Sequence, residues 1–273
     1  MFETITSKDN QRLKAIREVR DGKIAGLIFV EGRRLVSEAI NSGIEIEAAV
    51  ISSTFATEDG VAAAELTKFL GVGNSVIEIS DKLFRSISDT RAPQGIAITA
   101  HRPSLGREAI EARFTMDADQ KVPAVVYLHE INNPANLGAI VRTVESAGAI
   151  GIITSAGSAD AFAPNALRGS MGSAFRTPIW EKAEPDAVLA WARQKGLKSF
   201  GAVGGTQRSY LEIEWNLPSL IVFGSEGHGL PEGLRGELDE LFEIPMHSTV
   251  ESLNLAVSCG ITLYEARRQC LTR

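Results

Sequence analysis

Three short stretches in the second half of the chain carry residue types suited to chemistry. The first is an apolar run, Leu220 to Phe223, ending in the turn Gly224-Ser225-Glu226-Gly227-His228-Gly229-Leu230. A strand entering such a turn presents backbone N–H and C=O groups to a ligand with no side chains in the way. Glu226 reads either as a helix cap or as a carboxylate facing a ligand, and His228 reads as solvent-facing. The second stretch is Asn132 to Gly148, where Leu137, Ile140, Val141, Val144 and Ala147 form an apolar stripe at helical spacing. Arg142 falls about 200° round from Ile140, away from that stripe. Gly138, one turn earlier, leaves room for an approaching substrate or chain. Asn136 stands where a helix N-cap belongs; a surface arginine behind an asparagine cap is the plainer reading of this pair. The third stretch runs from the apolar segment Leu241–Ile244 through Pro245 and Met246 to Ser248-Thr249-Val250-Glu251, which has the form of a capping box. Ser252, Leu253 and Asn254 follow. Asn254 is a poor helix former that brings a donor and an acceptor to a helix start, so helix initiation and ligand contact account for it equally well.

These stretches need a scaffold, and the rest of the chain supplies one. With 273 residues, 44% hydrophobic and 23% charged, the composition is that of a soluble globular protein of about two domains. No apolar run approaches the roughly 18 residues of a membrane span, and the N-terminus lacks the apolar core of a signal peptide, so a cytoplasmic chain is expected. The net charge of −6 gives no global sign of nucleic-acid binding. Locally, Lys8, Arg12, Lys14, Arg17, Arg20, Lys23, Arg33 and Arg34 gather near the N-terminus, but Glu18, Asp21, Glu31 and Glu38 lie among them, and a solvated face is the preferred reading. Cys259 and Cys270 sit about three helical turns apart, too far to bridge, and read as inert thiols. His101, His129, His228 and His247 have no metal-ligand spacing, and no metal is expected.

Residues 1–103 read as a helix, Asp9–Asp21, followed by a small α/β domain. Its strands are expected at Leu27–Val30, Ile46–Ser52, Ser75–Ile79 and Gly95–Ala100, with helices over Arg33–Ser42 and Val61–Leu70 and a capped helix start at Ser80. The turn Arg91–Gly95 presents Arg91 and Gln94 outward. Residues 104–121 read as a polar connector. Over 122–273, strands at Ala124–Leu128, Ile150–Thr154, Phe175–Trp180, Ser199–Val203, Leu220–Phe223 and Phe242–Ile244 alternate with helices at Leu137–Ala147, Asn165–Ser170, Pro185–Lys195, Glu232–Leu238 and Val250–Gln269. Such alternation implies an α/β fold with a mostly parallel sheet covered by helices on both faces, and ligands beyond the carboxyl ends of its strands.

Taken together and in order, Asn133-x-x-Asn136-x-Gly138-x-x-x-Arg142, Gly224-Ser225-Glu226-Gly227-x-Gly229-Leu230 and Ile244-Pro245-Met246 followed by Glu251-Ser252-Leu253-Asn254-Leu255-Ala256-Val257 closely resemble the three motifs of the SpoU/TrmH family of RNA 2′-O-ribose methyltransferases. The resemblance covers residues 122 to 270 and implies a deep trefoil knot. It implies S-adenosylmethionine held mainly by backbone of Phe223, Gly224, Ser225, Gly227, Gly229, Ile244, Pro245, Met246 and Leu253. It further implies a homodimer in which Arg142 of one chain meets the cofactor of the other. Arg142 would sit beside the ribose 2′-hydroxyl, with Asn136, Glu226, Ser252 and Asn254 as orienting groups. Asn133 departs from the family, whose members commonly carry Asp there; only a role needing charge is thereby put in doubt. The N-terminal unit is similar to the L30e-like substrate-binding domain often joined to this catalytic domain. That points to RNA as partner, 23S rRNA ahead of tRNA. A non-catalytic RNA-binding protein is the alternative from another class. A nucleotide-dependent oxidoreductase is disfavoured, since no Gly-x-Gly-x-x-Gly follows the first strand of the larger domain.

Overall fold

The computed structural model describes residues 2–57, 75–115, 122–247 and 252–272. The chain divides into two compact units: Met1–Ser104 with Phe162–Phe175, and Leu105–Ala161 with Arg176–Arg273.

The first unit contains β1 (Glu3–Ile5), α1 (Gln11–Arg20), β2 (Leu27–Glu31), α2 (Arg33–Asn41), β3 (Ile46–Ser52), α3 (Ser53–Ala56), β4 (Ser75–Ile79), α4 (Asp81–Ile87) and β5 (Ile96–His101). Its sheet has the order β1-β4-β3-β5-β2, with β5 antiparallel to both neighbours and the other pairs parallel. Leu13, Ile16 and Val19 of α1 recur at helical spacing and pack with Phe29, Val50, Ile77 and Phe84 in one core. The expected capped start at Ser80 is present: its Oγ accepts the Leu83 N–H at 3.3 Å. The helix expected at Val61–Leu70 lies outside the described residues. Part of the N-terminal basic cluster serves the fold. Arg12 pairs with Glu3, Arg17 donates to the Lys8 carbonyl, and Arg20 donates to the Ser86 and Ile87 carbonyls at the end of α4, as cations do at helix C-termini.

The second unit begins with α5 (Arg107–Thr115), followed by β6 (Val122–Leu128), α6 (Pro134–Ala147) and β7 (Ala149–Ser155). The chain then contributes α7 (Pro164–Ser170) to the first unit. It resumes with β8 (Ile179–Ala183), α8 (Pro185–Gln194), β9 (Lys198–Ala202), β10 (Ser219–Phe223), α9 (Glu232–Gly236), β11 (Glu240–Phe242) and α10 (Leu255–Leu271). The six strands lie in the order β11-β9-β10-β6-β7-β8, all parallel. Both faces are covered. Val125 and Tyr127 of β6 pack with Ile110 of α5 and Val188, Leu189 and Trp191 of α8. The alternate residues point the other way, where α6 and α10 pack together and α10 meets β6.

Several boundaries differ from expectation for identifiable reasons. The stretch read as a connector holds α5, whose Ile110 is fully buried. The strand expected at Phe175–Trp180 begins at Ile179, because Ser173–Phe175 forms a 3-10 turn after the left-handed Met171. The last helix starts at Leu255, since Asn254 caps it; the capping box at Ser248 and Glu251 lies outside the described residues. Gly138 is buried rather than leaving an opening.

The strand order fixes where a ligand can sit. From β6 the chain moves to β7 on one side; from β10 it moves to β11 on the other, although β6 and β10 are neighbours. Their outgoing loops separate at the carboxyl edge and leave a crevice there.

Candidate functional site

That crevice is a cleft of about 590 Å³, within the range of small-molecule sites. Four strand ends furnish its walls: Asn133 and Asn136 after β6, Ala202–Gly204 after β9, Phe223–Glu226 with Gly229 and Leu230 after β10, and Phe242–Ile244 with Met246 after β11. Ser252, Leu253, Asn254, Leu255 and Ser258 close it from the start of α10.

The β10 loop folds back on itself. Ser225 and Gly229 exchange backbone hydrogen bonds (N–H of Ser225 to O of Gly229, 3.2 Å; the reverse, 2.9 Å), and Gly229 turns with φ of +65°. A Cβ on Gly224 would stand 2.1 Å from the Gly229 carbonyl carbon and 2.3 Å from Leu230 N, so only glycine permits this closure. At Gly224 and Gly229 the loop therefore offers backbone, not side chains, to the cleft.

Three side chains link the three sequence stretches. Asn254 Oδ1 accepts the N–H groups of Ala256 (2.9 Å) and Val257 (3.4 Å), capping α10. Its Nδ2 donates to Asn136 Oδ1 at 3.1 Å, and Asn136 Nδ2 donates to Glu226 Oε1 at 3.1 Å. The cap fixes which end of the Asn254 amide is oxygen; that orientation sets the Asn136 amide, which in turn requires an acceptor at Glu226. Asn254 thus both caps the helix and lines the cleft. Asn133 is the N-cap of α6: its Oδ1 accepts from Ala135 N (2.9 Å) and Asn136 N (3.3 Å). This corrects the assignment of the cap to Asn136, and Pro134 at the first helical position was the available signal. A cap needs an acceptor only, so amide or carboxylate serves equally at position 133.

Of the residues singled out in the sequence, Asn136, Phe223, Gly224, Ser225, Glu226, Gly229, Ile244, Met246, Ser252, Leu253 and Asn254 line the cleft. Gly227, Pro245 and Arg142 do not. Arg142 is exposed on α6 and makes no hydrogen bond or ion pair among the described residues. Sequence reasoning missed Ala202–Gly204, Arg235 and Glu243. The first follows from the carboxyl-end rule applied to β9. Arg235 donates to the Leu230 carbonyl at 2.6 Å and braces the loop. Glu243 receives the Gly205 N–H at 2.9 Å and exchanges backbone bonds with Arg208 and Tyr210; these depend on tertiary contact. Cys259, beneath the cleft, is fully buried and its thiol is pushed up by desolvation, as suits an inert packing residue. Among the described residues no cluster of side chains suits a metal ion, and no helix is long and apolar enough to cross a membrane.

Comparison with known proteins places this geometry. Residues 123–264 match the SpoU rRNA Methylase family, and residues 10–98 match the MRM3-like substrate binding domain. The chain is 28% identical over 267 residues to the 23S rRNA (guanosine(2553)-2′-O)-methyltransferase RlmP of Bacillus subtilis, covering 96% of this chain and 98% of that one. An uncharacterized tRNA/rRNA methyltransferase of Mycolicibacterium gilvum is 30% identical over 265 residues, covering 94% and 82%. The crystal structure of an AdoMet-bound rRNA methyltransferase from Sinorhizobium meliloti superimposes with a TM-score of 0.80 at 29% identity, covering 98% of each chain.

Proposed function

The chain belongs to the SpoU rRNA methylase family, and from that membership we propose that it transfers a methyl group from S-adenosylmethionine to a ribose 2′-hydroxyl of 23S rRNA. The observation that carries the reading is the Asn254–Asn136–Glu226 chain of hydrogen bonds, which joins the three motifs around one cleft. The cleft suits the cofactor in chemistry as well as size. Phe223, Leu230, Ile244 and Leu253 give it an apolar side for an adenine ring, while Asn136, Glu226 and Asn254 give a polar side for an amino-acid end.

S-adenosylmethionine supplies an electrophilic methyl on its sulfonium. With the cofactor bound, the new O–CH3 bond would form as the C–S bond breaks, S-adenosylhomocysteine leaving as the neutral thioether and the hydroxyl proton passing to solvent. The protein's task is to orient the hydroxyl in line with that bond, a service worth up to about 7–11 kcal/mol. Phe223, Gly224, Ser225, Gly229, Ile244, Met246 and Leu253 hold the cofactor through the loops; Gly227 and Pro245 shape them. Asn136, Glu226, Ser252 and Asn254 orient the reacting groups. Arg142 binds the phosphate beside the target ribose and stabilises developing alkoxide charge. A guanidinium has donors and no acceptor, so charge stabilisation is the role assigned to Arg142.

Arg142 reaches this position from a second copy of the chain. The working form is a homodimer in the cytoplasm, in which residues 1–103 engage RNA and residues 122–273 carry the chemistry. The same reading includes a knotted C-terminal passage, supported by the bonds that bind Glu243 to the loop after β9 before α10 returns onto α6.

The test is transfer of labelled methyl to unmodified 23S rRNA, 16S rRNA and bulk tRNA in parallel. Alkali-resistant label in 23S rRNA supports the reading, and label confined to tRNA replaces the substrate. No label together with no cofactor binding overturns the enzyme assignment.

A further inference from the structure

We infer that the first unit carries a pocket for one unpaired nucleotide of the RNA, a proposal that rests on the RNA methyltransferase reading above. The pocket is a cavity of about 250 Å³ between the β2–α2 corner, the turn before β5 and the end of α7. Drug-sized ligands occupy roughly 300–1,000 Å³, so this space suits a single flat ring system.

Its walls and its polar groups match that shape. Leu35 and Met171 provide apolar sides. Glu31 lies at the floor, 5% exposed, and its carboxylate accepts from Ser88 Oγ (2.5 Å), Asp89 N (2.8 Å) and Thr90 Oγ1 (2.9 Å). A carboxylate has about four acceptor positions, so one is left for a ligand N–H. Gln94 Oε1 accepts the Arg33 N–H at 2.8 Å, which turns its Nε2 donor outward; that nitrogen has no partner among the described residues. Arg34 lines the same cavity, exposed and without a hydrogen bond or ion pair among the described residues.

An acceptor and an amide donor beside an apolar slot complement the edge of a nucleobase, and a free guanidinium at the opening complements its phosphate. A base inside a helix cannot present its edge this way, whereas a looped-out base can. The contrast with Arg12 and Arg20 sharpens the assignment: those cations are engaged within the fold, while Arg34 is available. Met171 and Arg168 also show that a segment matched to the methylase family builds one wall of this substrate pocket.

The test measures RNA affinity, not turnover. Gln94→Glu keeps the acceptor for Arg33 N–H but replaces the free donor with an oxygen. Ala92→Trp, at an exposed lining position, fills the slot, and Arg34→Gln removes the free charge. Each variant is titrated with unmodified 23S rRNA transcript and with a fully paired RNA duplex, alongside S-adenosylmethionine binding and thermal melting. The expected result is about tenfold weaker transcript binding for Gln94→Glu and Ala92→Trp, with duplex binding, cofactor affinity and melting as in the wild type. Unchanged transcript affinity in both of these variants overturns the pocket, as do equal losses on transcript and duplex, which would mark a backbone contact. A wild-type protein that binds neither RNA overturns the RNA reading itself.

Discussion

Replacing Asn136 by aspartate exchanges one NH2 group for one oxygen and tests the hydrogen-bond chain directly. The bond from Asn254 Nδ2 survives, because Oδ1 is retained. The 3.1 Å contact with Glu226 becomes oxygen against oxygen. Loss of that bond costs about 1 kcal/mol. Two carboxylates at 3.1 Å repel by about 1 kcal/mol in water-like surroundings and by about 5 at an effective dielectric constant of about 20. Glu226 is exposed on an open cleft, so the lower value applies. The sum, about 2 kcal/mol, predicts a fall in kcat/KM of about thirtyfold near pH 8. Repulsion raises one carboxyl above its ordinary value, so the defect is full above that raised value. As pH falls through it, a proton restores an O–H donor between the two oxygens, and the variant recovers relative to wild type. Adding Glu226→Gln removes one charge and restores a donor, so the double variant should regain most of the activity. Initial methyl-transfer rates across about pH 5 to 9 decide the matter. Wild-type rates in the single variant, or a double variant no better than the single, would falsify the proposed role of the pair.

Three further outcomes follow from the geometry. Gly224→Ala forces its Cβ into Gly229 and Leu230 backbone; overpacking of about 1–3 kcal/mol should weaken cofactor binding about 5- to 150-fold by calorimetry, and undiminished affinity would refute the backbone cradle. Arg142→Ala should abolish methyl transfer and leave cofactor affinity intact. If Arg142 acts in its partner's site, mixing Arg142→Ala with Asn136→Ala chains restores activity, because one of the two mixed sites is intact; no restoration means it acts within its own chain. Glu111, bonded to Arg107, Lys195 and Trp191, has its carboxyl lowered to about 2 from an ordinary 4.5. Its contribution is therefore present above about pH 4.5 and lost as pH falls toward 2, so Glu111→Gln should lower Tm near pH 7 and match wild type in strong acid.

Much of the scaffold was legible because its signals are local. Short apolar runs bounded by turns located β3 and β4 to the residue, and β6, β7, β9 and β10 to within two. The failures have tertiary causes. β1 has three residues and exists only by pairing with β4, which periodicity cannot detect. α7 lies within the methylase half of the sequence yet packs in the first unit, and its departure displaced the expected strand that follows. Within the cleft, the glycines and asparagines announced themselves by type and order. Gly224 is required by a backbone approach visible only in space, and the bracing of the loop by Arg235 depends on a carbonyl five residues away.

Helix geometry bears on which chain would bring Arg142 to the proposed site. Asn136 and Arg142 lie on one helix, six residues apart, hence about 240° round and about 9 Å along the axis. With Asn136 committed to the cleft by Glu226 and Asn254, Arg142 is directed away from it. The face it occupies continues through Ser146, one turn on, to Tyr264 of α10, whose hydroxyl lies 3.4 Å from Ser146 Oγ. On α10, Val257, Tyr264 and Leu271 recur every seven residues at 49%, 52% and 62% exposure, an apolar stripe beside the arginine. In the homodimer proposed above, a second copy covering that stripe would offset the cost of its exposure and would bring each Arg142 toward the other chain's cleft. A substitution such as Tyr264→Glu should then separate the dimer in sedimentation and remove methyl transfer together; loss of one without the other would break the link between assembly and site.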